Sequence, residues 1–110
     1  MNLAILGFGV VGSGVAELCK NRSDLCVKKI LDLRDFPGLD IPVVKDINSI
    51  LDDPEIDIVV ETMGGFKPAY DFSLASLKAG KHLVTANKQM VAGGYDSLLE
   101  TVREKGLGFR

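Results

Sequence analysis

The sequence predicts one doubly wound α/β domain, a parallel sheet with helices on both faces, and two observations support that prediction. Apolar segments of strand length alternate with segments of helical periodicity along the 110 residues. A composition of 46% hydrophobic and 25% charged residues is ordinary for a single soluble domain. Strands separated by helices pair in parallel through crossover connections. We therefore expect one domain spanning residues 1–110.

The chain opens with an apolar strand that runs directly into a G-x-G-x-x-G turn. Each glycine answers a different steric need: Gly7 permits the tight turn, Gly9 lets backbone approach a pyrophosphate, and Gly12 lets the next helix pack closely. The amino terminus of that helix offers free N–H groups and a partial positive charge to phosphates. This arrangement is typical of a Rossmann-type dinucleotide-binding domain.

The apolar pattern predicts the remaining elements in order. After a strand at 2–6, further strands are expected at 25–31, 43–44, 56–61 and 82–85. Helices are expected at 10–21, 46–51, 67–79, 87–92 and 95–105. Pro68 is expected at the first position of the third helix, and Gly80 just after its end. The Gly93-Gly94 pair is expected to break the chain between the last two helices. In the first helix, the buried stripe is expected to contain Val11, Gly14, Val15 and Leu18.

Charge and composition exclude several classes of function. A net charge of −2 gives no basic surface for nucleic acid and no polybasic membrane anchor. No apolar run approaches the roughly 20 residues that span a bilayer, and no signal peptide precedes the first strand, so we expect a cytoplasmic protein. Cys19 and Cys26 are expected to be small buried hydrophobic side chains, and His82 has no metal-ligating neighbours in sequence. No metal site is predicted.

Ligands of such sheets bind beyond the carboxyl ends of the strands, which makes the residues after each strand the informative ones. These residues lie at positions 7–9, 32, 61–65 and 85–88. Asp32 follows Gly12 by twenty positions, the expected place for a carboxylate that bonds the ribose 2′-hydroxyl of NAD. Arg34 is suited instead to the 2′-phosphate of NADP. We expect NAD to be accepted, and NADP stays open as a cofactor.

Two segments carry a specific resemblance. I-V-V-E-T-M-G-G at 58–65 and A-G-K-H-L-V-T-A-N-K at 79–88, together with G-F-G-V-V-G-S-G-V at 7–15, closely resemble segments of homoserine dehydrogenases. The motifs occur in the right order and cover nearly the whole chain. The resemblance implies a nicotinamide-dependent oxidoreductase that interconverts L-aspartate 4-semialdehyde and L-homoserine in threonine, methionine and isoleucine biosynthesis.

The resemblance also implies roles for individual residues. Phe8, Val10 and Val11 match the turn that holds the dinucleotide phosphates. The segment that passes the cofactor ribose corresponds to Thr62, Gly64 and Gly65, and the nicotinamide end is approached by Thr85, Ala86 and Asn87. Lys88 matches a lysine proposed as a catalytic or substrate-orienting group. A cation is reasonable there because hydride addition to an aldehyde places negative charge on oxygen.

Members of this family continue into a substrate-binding and dimerisation domain. The chain is therefore expected to be the cofactor domain of a longer, homodimeric enzyme, inactive by itself. Two alternatives stay open. One is the cofactor domain of a glucose-fructose-oxidoreductase-type dehydrogenase, although that group has E-K-P where this sequence has Asn87-Lys88-Gln89. The other is a non-catalytic NAD(H)-sensing module, which predicts an added DNA-binding or interaction segment.

Overall fold

Five parallel strands form one sheet in the order β3-β2-β1-β4-β5. The computed structural model describes residues 1–109, with all their side chains except those of Lys88 and Gln89. The strands are β1 (Asn2–Leu6), β2 (Cys26–Leu31), β3 (Val43–Val44), β4 (Ile58–Glu61) and β5 (His82–Thr85). The helices are α1 (Val10–Lys20), α2 (Asn48–Leu51), α3 (Ala69–Lys78) and α4 (Lys88–Lys105). The parallel sheet and its five predicted strands are confirmed.

Helices cover both faces of the sheet, as predicted. Along β1, Leu3 and Ile5 join one buried cluster with Ala16 of α1. The alternate residues Ala4 and Leu6 join the opposite cluster, whose helical members come from α2, α3 and α4. Side chains of successive strand residues point to opposite faces, so one short strand contributes to both cores.

The buried face of α1 differs from the predicted stripe. Val11 and Leu18 are 54% and 71% exposed, whereas Gly12, Ala16 and Cys19 are buried. These three small residues lie at i, i+4 and i+7, and they let the helix axis approach the sheet. A Cβ on Gly12 would lie 2.3 Å from the Gly7 carbonyl oxygen, so this contact sets how the helix faces the sheet.

Residues 88–105 form a single helix, so the break predicted at Gly93-Gly94 is wrong. Both glycines lie within α4 and provide space for aromatic rings. A Cβ on Gly93 would lie 2.5 Å from Phe66 Cε2, and one on Gly94 would lie 2.2 Å from Tyr70 Cε1. Phe66 and Tyr70 stack with ring centroids 5.1 Å apart. The two glycines therefore allow α4 to pack closely against these rings, next to the start of α3.

Smaller differences occur where the chain enters elements. Pro68 is the N-cap of α3, one position before the first helical residue, whereas Gly80 has the left-handed conformation expected after the helix, with φ +87°. Strand β4 begins at Ile58, two residues later than predicted. Cys26 is exposed because it opens β2 at the amino edge of the sheet, and Cys19 is buried as predicted.

The carboxyl ends of the central strands lie at one edge. Leu6 pairs with Leu31 on one side and with Glu61 on the other, and Glu61 pairs with Thr85. The sequence-predicted segments that follow these strands are therefore brought together along a single edge of the sheet.

Between residues 1 and 109, no helix is long and apolar enough to cross a membrane.

Candidate cofactor-binding site

The glycine turn between β1 and α1 has the geometry that its spacing predicted. Gly7 has φ +86°, and its N–H donates to the Leu31 carbonyl at 2.8 Å. Gly12 packs against the Gly7 carbonyl, where any side chain would clash. Gly9 is the N-cap of α1, and a Cβ built there would meet no atom within 4 Å. The space next to Gly9 is thus free for a ligand.

The first turn of α1 offers donors to that space. No side chain caps it, and it contains no acidic residue. The first N–H groups of a helix have no partner within the helix and carry the positive end of its dipole. An open approach at Gly9 in front of uncapped amides fits the pyrophosphate of a dinucleotide.

Thr62 fixes the turn from the neighbouring strand. Its hydroxyl donates to the Gly7 carbonyl oxygen at 2.7 Å and lies 3.1 Å from that of Leu6. It also lies 2.9 Å from the position of a Gly12 Cβ. The side chain therefore holds the turn, and a contact of Thr62 with cofactor ribose stays a prediction.

Asp32 lies at the end of β2 with all of its usual acceptor positions used. Oδ2 accepts from the Phe8 N–H at 2.9 Å and from Arg34 Nη2 at 2.9 Å. Oδ1 accepts from the Arg34 N–H at 2.9 Å and from Arg34 Nε at 3.0 Å. A carboxylate has about four lone-pair positions. A bond from a ribose hydroxyl to Asp32 would therefore have to displace one of these partners.

The Arg34 guanidinium and the burial of Asp32 act oppositely on the pKa of this carboxyl. The hydrogen bonds from Arg34 dominate, so the pKa of Asp32 lies well below its ordinary value. The Asp32 side chain is 8% exposed and that of Arg34 63% exposed. The pair thus links a nearly buried anion to a cation that reaches solvent.

Two cations and two aromatic rings surround this end of the site. Arg34 Cζ lies 5.3 Å from the centroid of the Phe36 ring, which meets the Phe8 ring edge-on at 5.1 Å. Lys45 Nζ donates to the Arg34 carbonyl at 2.7 Å. Both cations line a cavity of about 500 Å³ above β1, β2 and β4. The cavity is lined by Gly7, Phe8, Gly9, Leu31, Asp32, Leu33, Arg34, Lys45, Thr62, Met63, Pro68 and Phe72.

A second cleft, of about 330 Å³, continues from the glycine turn toward α4. It is lined by Val11, Thr62, Gly64, Ala86 and Asn87, all of them predicted site residues. Val10 is 90% exposed at the start of α1. The side chain of Lys88 lies outside the described part of the chain, and its predicted role is untested. The structure brings the other sequence-predicted residues to one edge of the sheet.

Sequence reasoning counted Glu61 among the residues that follow the strands but assigned it no role, and it did not single out Lys45. Glu61 is fully buried, and its oxygens accept hydrogen bonds from Met63 and Thr85. The sequence contains a signal for this role, which is a glutamate at the end of an otherwise apolar strand. Such a carboxylate needs polar partners when it is buried. Within residues 1–109, no group of three or more His, Cys, Asp or Glu side chains could hold a metal ion.

Residues 7–110 match the family described as the homoserine dehydrogenase NAD-binding domain. The chain belongs to this family. The match favours the homoserine dehydrogenase interpretation over the two alternatives, and it establishes NAD(P) as the cofactor class. The predicted resemblance is thereby confirmed.

Individual relatives agree with the family assignment. The homoserine dehydrogenase of Bacillus subtilis is 31% identical over 96% of this chain, and that of Lactococcus lactis is 38% identical over 84%. The crystal structure of Staphylococcus aureus homoserine dehydrogenase at pH 7.5 superimposes on the whole chain with a TM-score of 0.89 at 34% identity. This chain spans 28%, 25% and 32% of those three proteins, respectively.

Proposed function

We propose that residues 1–110 form the cofactor-binding part of a homoserine dehydrogenase that interconverts L-homoserine and L-aspartate 4-semialdehyde. The observation that carries the proposal is the uncapped amino terminus of α1, with open space at Gly9 and a cleft leading from it toward Asn87. A nicotinamide cofactor supplies the hydride chemistry, and this chain supplies the bonds that bind and orient that cofactor.

The whole enzyme in this proposal contains a further substrate-binding and dimerisation domain. The proposal is supported by the length of the relatives, of which this chain spans about 28%. An apolar groove of about 770 Å³ between α4 and residues 107–109 offers a surface against which further polypeptide can pack. We place the enzyme in the cytoplasm, as a homodimer, in the synthesis of threonine, methionine and isoleucine.

Lys88 is the proposed catalytic or substrate-orienting group. It directly follows Asn87, which is the N-cap of α4 and lines the cleft of about 330 Å³. A helix amino terminus disfavours a cation, so a lysine at this position is more readily explained by a ligand than by helix stability. Its positive charge would stabilise the oxygen that becomes negative as hydride adds to the aldehyde.

We further propose that the site accepts the 2′-phosphate of NADP through Arg34 and Lys45. Asp32 occupies two of the five N–H donors of the Arg34 side chain and holds the guanidinium plane in place. The remaining donors bond to no other side chain in the described part of the chain, and they can bind phosphate. In this proposal NADP uses Arg34 where it lies, whereas NAD would bond Asp32 only by displacing Arg34 or the Phe8 N–H.

The cofactor function is tested by placing a side chain at Gly9. Because a Cβ there meets no protein atom, Gly9→Val should leave the domain folded while its branched side chain blocks the pyrophosphate. Loss of one hydrogen bond to a charged group weakens binding by roughly tenfold or more. Calorimetric titration of the 110-residue chain with NADH and NADPH measures the loss.

Gly14→Ala is the matched control. Gly14 lies in α1, and a Cβ built on it also meets nothing within 4 Å, but unlike Gly9 it does not line the cavity of about 500 Å³. We expect its cofactor affinity to equal that of the wild type. Unchanged affinity in Gly9→Val would remove the glycine turn from the binding site and contradict the proposed function.

A further inference from the structure

Glu61 is a fully buried carboxylate at the carboxyl end of β4. The next residue, Thr62, lines the cleft of about 330 Å³. The neighbours of Glu61 in the strand, Val59 and Val60, are buried in the two apolar cores. An apolar residue would satisfy the packing of such a position at less cost, because a buried carboxylate is unfavourable unless hydrogen bonds replace its water. Core packing alone therefore does not explain a glutamate at this position.

The two carboxylate oxygens bond to different segments. Oε2 accepts from the Met63 N–H at 2.6 Å, in the loop that follows β4. Oε1 accepts from the Thr85 hydroxyl at 2.6 Å, at the end of β5. An ionised carboxylate accepts through both oxygens, so one side chain restrains both segments at once.

The bonds continue from Thr85 to the start of α4 and then return to the loop. Thr85 Oγ1 accepts from the Asn87 N–H at 3.0 Å, and Asn87 Oδ1 accepts from the Met90 N–H at 3.1 Å. Asn87 Nδ2 donates to the Gly65 carbonyl, back in the loop after β4. Glu61 thus closes a ring of hydrogen bonds that surrounds one end of the cleft.

We propose that Glu61 is a positioning residue for the nicotinamide half of the cofactor. It fixes the separation between the loop at 62–65 and Asn87. Thr62 and Gly64 of that loop line the 330 Å³ cleft, and so does Asn87. Glu61 itself is not among the residues that line either cofactor cavity, so it acts through Met63, Thr85 and Asn87. The inference rests on the proposed cofactor function and specifies which part of the ligand the buried carboxylate serves.

The change Glu61→Gln tests the proposal because it keeps the side-chain shape. A carboxamide keeps an acceptor oxygen at only one of the two positions and has an NH₂ donor at the other, so it cannot accept at both positions as the carboxylate does. Binding to the 110-residue chain is measured for NADH and for ADP-ribose, which lacks only the nicotinamide. We expect Glu61→Gln to weaken NADH about two- to tenfold and ADP-ribose less than about twofold.

Glu55→Gln is the matched control, since Glu55 is 71% exposed and pairs with Lys28 away from the cleft. It should leave both affinities unchanged. Fluorescence of bound NADH gives a second readout, and its nicotinamide emission should differ between Glu61→Gln and wild type. Equal weakening of NADH and ADP-ribose, or no weakening, would overturn the positioning role. A wild-type chain that binds neither ligand would instead contradict the cofactor function.

A measurement on the wild-type chain covers the case in which Glu61→Gln does not fold. The amide NMR signals of Thr85 and Asn87 report on the ring of bonds, and neither residue lines the cavity of about 500 Å³ next to Asp32. They should shift when NADH is added, and should shift much less with ADP-ribose. Identical responses to the two ligands would show that the ring does not sense the nicotinamide, and would overturn the proposal.

Discussion

Arg34 is the residue on which the proposed choice between NADP and NAD depends. Its guanidinium reaches solvent while two of its N–H groups are bonded to Asp32. We expect Arg34→Ala to weaken NADPH by roughly ten- to a hundredfold, as for one charged hydrogen bond, and NADH much less. Calorimetric titration with both cofactors measures the difference.

Arg22→Ala is the control for that change. Arg22 also forms a two-bond pair with an aspartate two positions away, at 2.9 and 2.7 Å from Asp24, but it lies outside the cofactor cavity. We expect Arg22→Ala to leave the affinities for NADH and NADPH unchanged. Equal losses of NADPH and NADH in Arg34→Ala would mean that Arg34 supports the turn without recognising the 2′-phosphate.

The lowered pKa of Asp32 makes a prediction about stability and pH. A carboxyl whose folded pKa lies below its unfolded value of about 3.9 stabilises the fold fully above that value, and the effect is lost as pH falls toward the folded pKa. We expect Asp32→Asn to lower the free energy of unfolding by about 1.5–3 kcal/mol at pH 7. Urea unfolding should show this difference shrinking below about pH 4.

Other acidic residues do not obscure the comparison. The pKa of Asp53 is also lowered, first by its hydrogen bond with Lys28, but Asp53 is present in both proteins. The difference between wild type and Asp32→Asn therefore isolates Asp32. A difference that stays constant between pH 7 and pH 3 would show that Asp32 stabilises the turn without its charge.

The sequence predicted the positions of these residues better than their bonds. Spacing alone placed Gly7, Gly9 and Gly12 correctly, because each steric need is local to the turn. It placed Asp32 at the ribose end and left Arg34 as a competitor. The structure instead joins Asp32 and Arg34 in one pair, which depends on side-chain geometry that no spacing rule contains. Glu61 was placed at the sheet edge but received no role, because its partners come from residues 2 and 24 positions away.

At the level of elements, α4 is defined by its ends and not by the glycines inside it. Asn87 caps its first turn through the Met90 N–H, and Gly106 ends it with φ +64°. Propensity alone would favour alanine over glycine in the interior by about 1 kcal/mol for each residue. Gly93 and Gly94 are retained in the structure by the two aromatic rings packed against them.

We therefore expect Gly94→Ala to destabilise the domain despite the better helix former. The new methyl group would lie 2.2 Å from Tyr70 Cε1, and overpacking of this kind costs typically about 1–3 kcal/mol. Gly14→Ala, in the open part of α1, should stabilise the domain by up to about 1 kcal/mol. Thermal unfolding compares the two. Stabilisation by Gly94→Ala would show that the Tyr70 ring moves aside at little cost.

The errors at the buried face of α1 and at Gly93-Gly94 have one physical origin. Hydrophobic periodicity favoured Val11 and Leu18 for the buried side of α1, and helix propensity favoured a break at Gly93-Gly94. Small residues let elements approach closely, and only tertiary contacts reveal this role. The face containing Gly12, Ala16 and Cys19 carries little hydrophobic signal, although it is the face that packs on the sheet.

For the whole molecule, the architecture was predictable because it depends on the order of elements. Alternating strands and helices favour parallel crossover connections, and such connections give a parallel sheet with helices packed against it. The aligned strand ends at Leu6, Leu31, Glu61 and Thr85 then follow from pairing in register. Activity depends on more than this sheet edge, because the proposed substrate contacts come from a further domain.

The 110-residue chain should therefore bind cofactor and show no measurable oxidation of homoserine. Hydride transfer needs the substrate held about 3–3.5 Å from the nicotinamide, an orientation effect worth on the order of 7–11 kcal/mol. In the proposed longer enzyme, activity should be present, and Lys88→Ala should remove most of kcat. Spectrophotometric assays of NADPH formation compare the two proteins. Robust turnover by the 110-residue chain would contradict the two-domain proposal, and full activity of Lys88→Ala in the longer enzyme would exclude a catalytic or substrate-orienting role for that lysine.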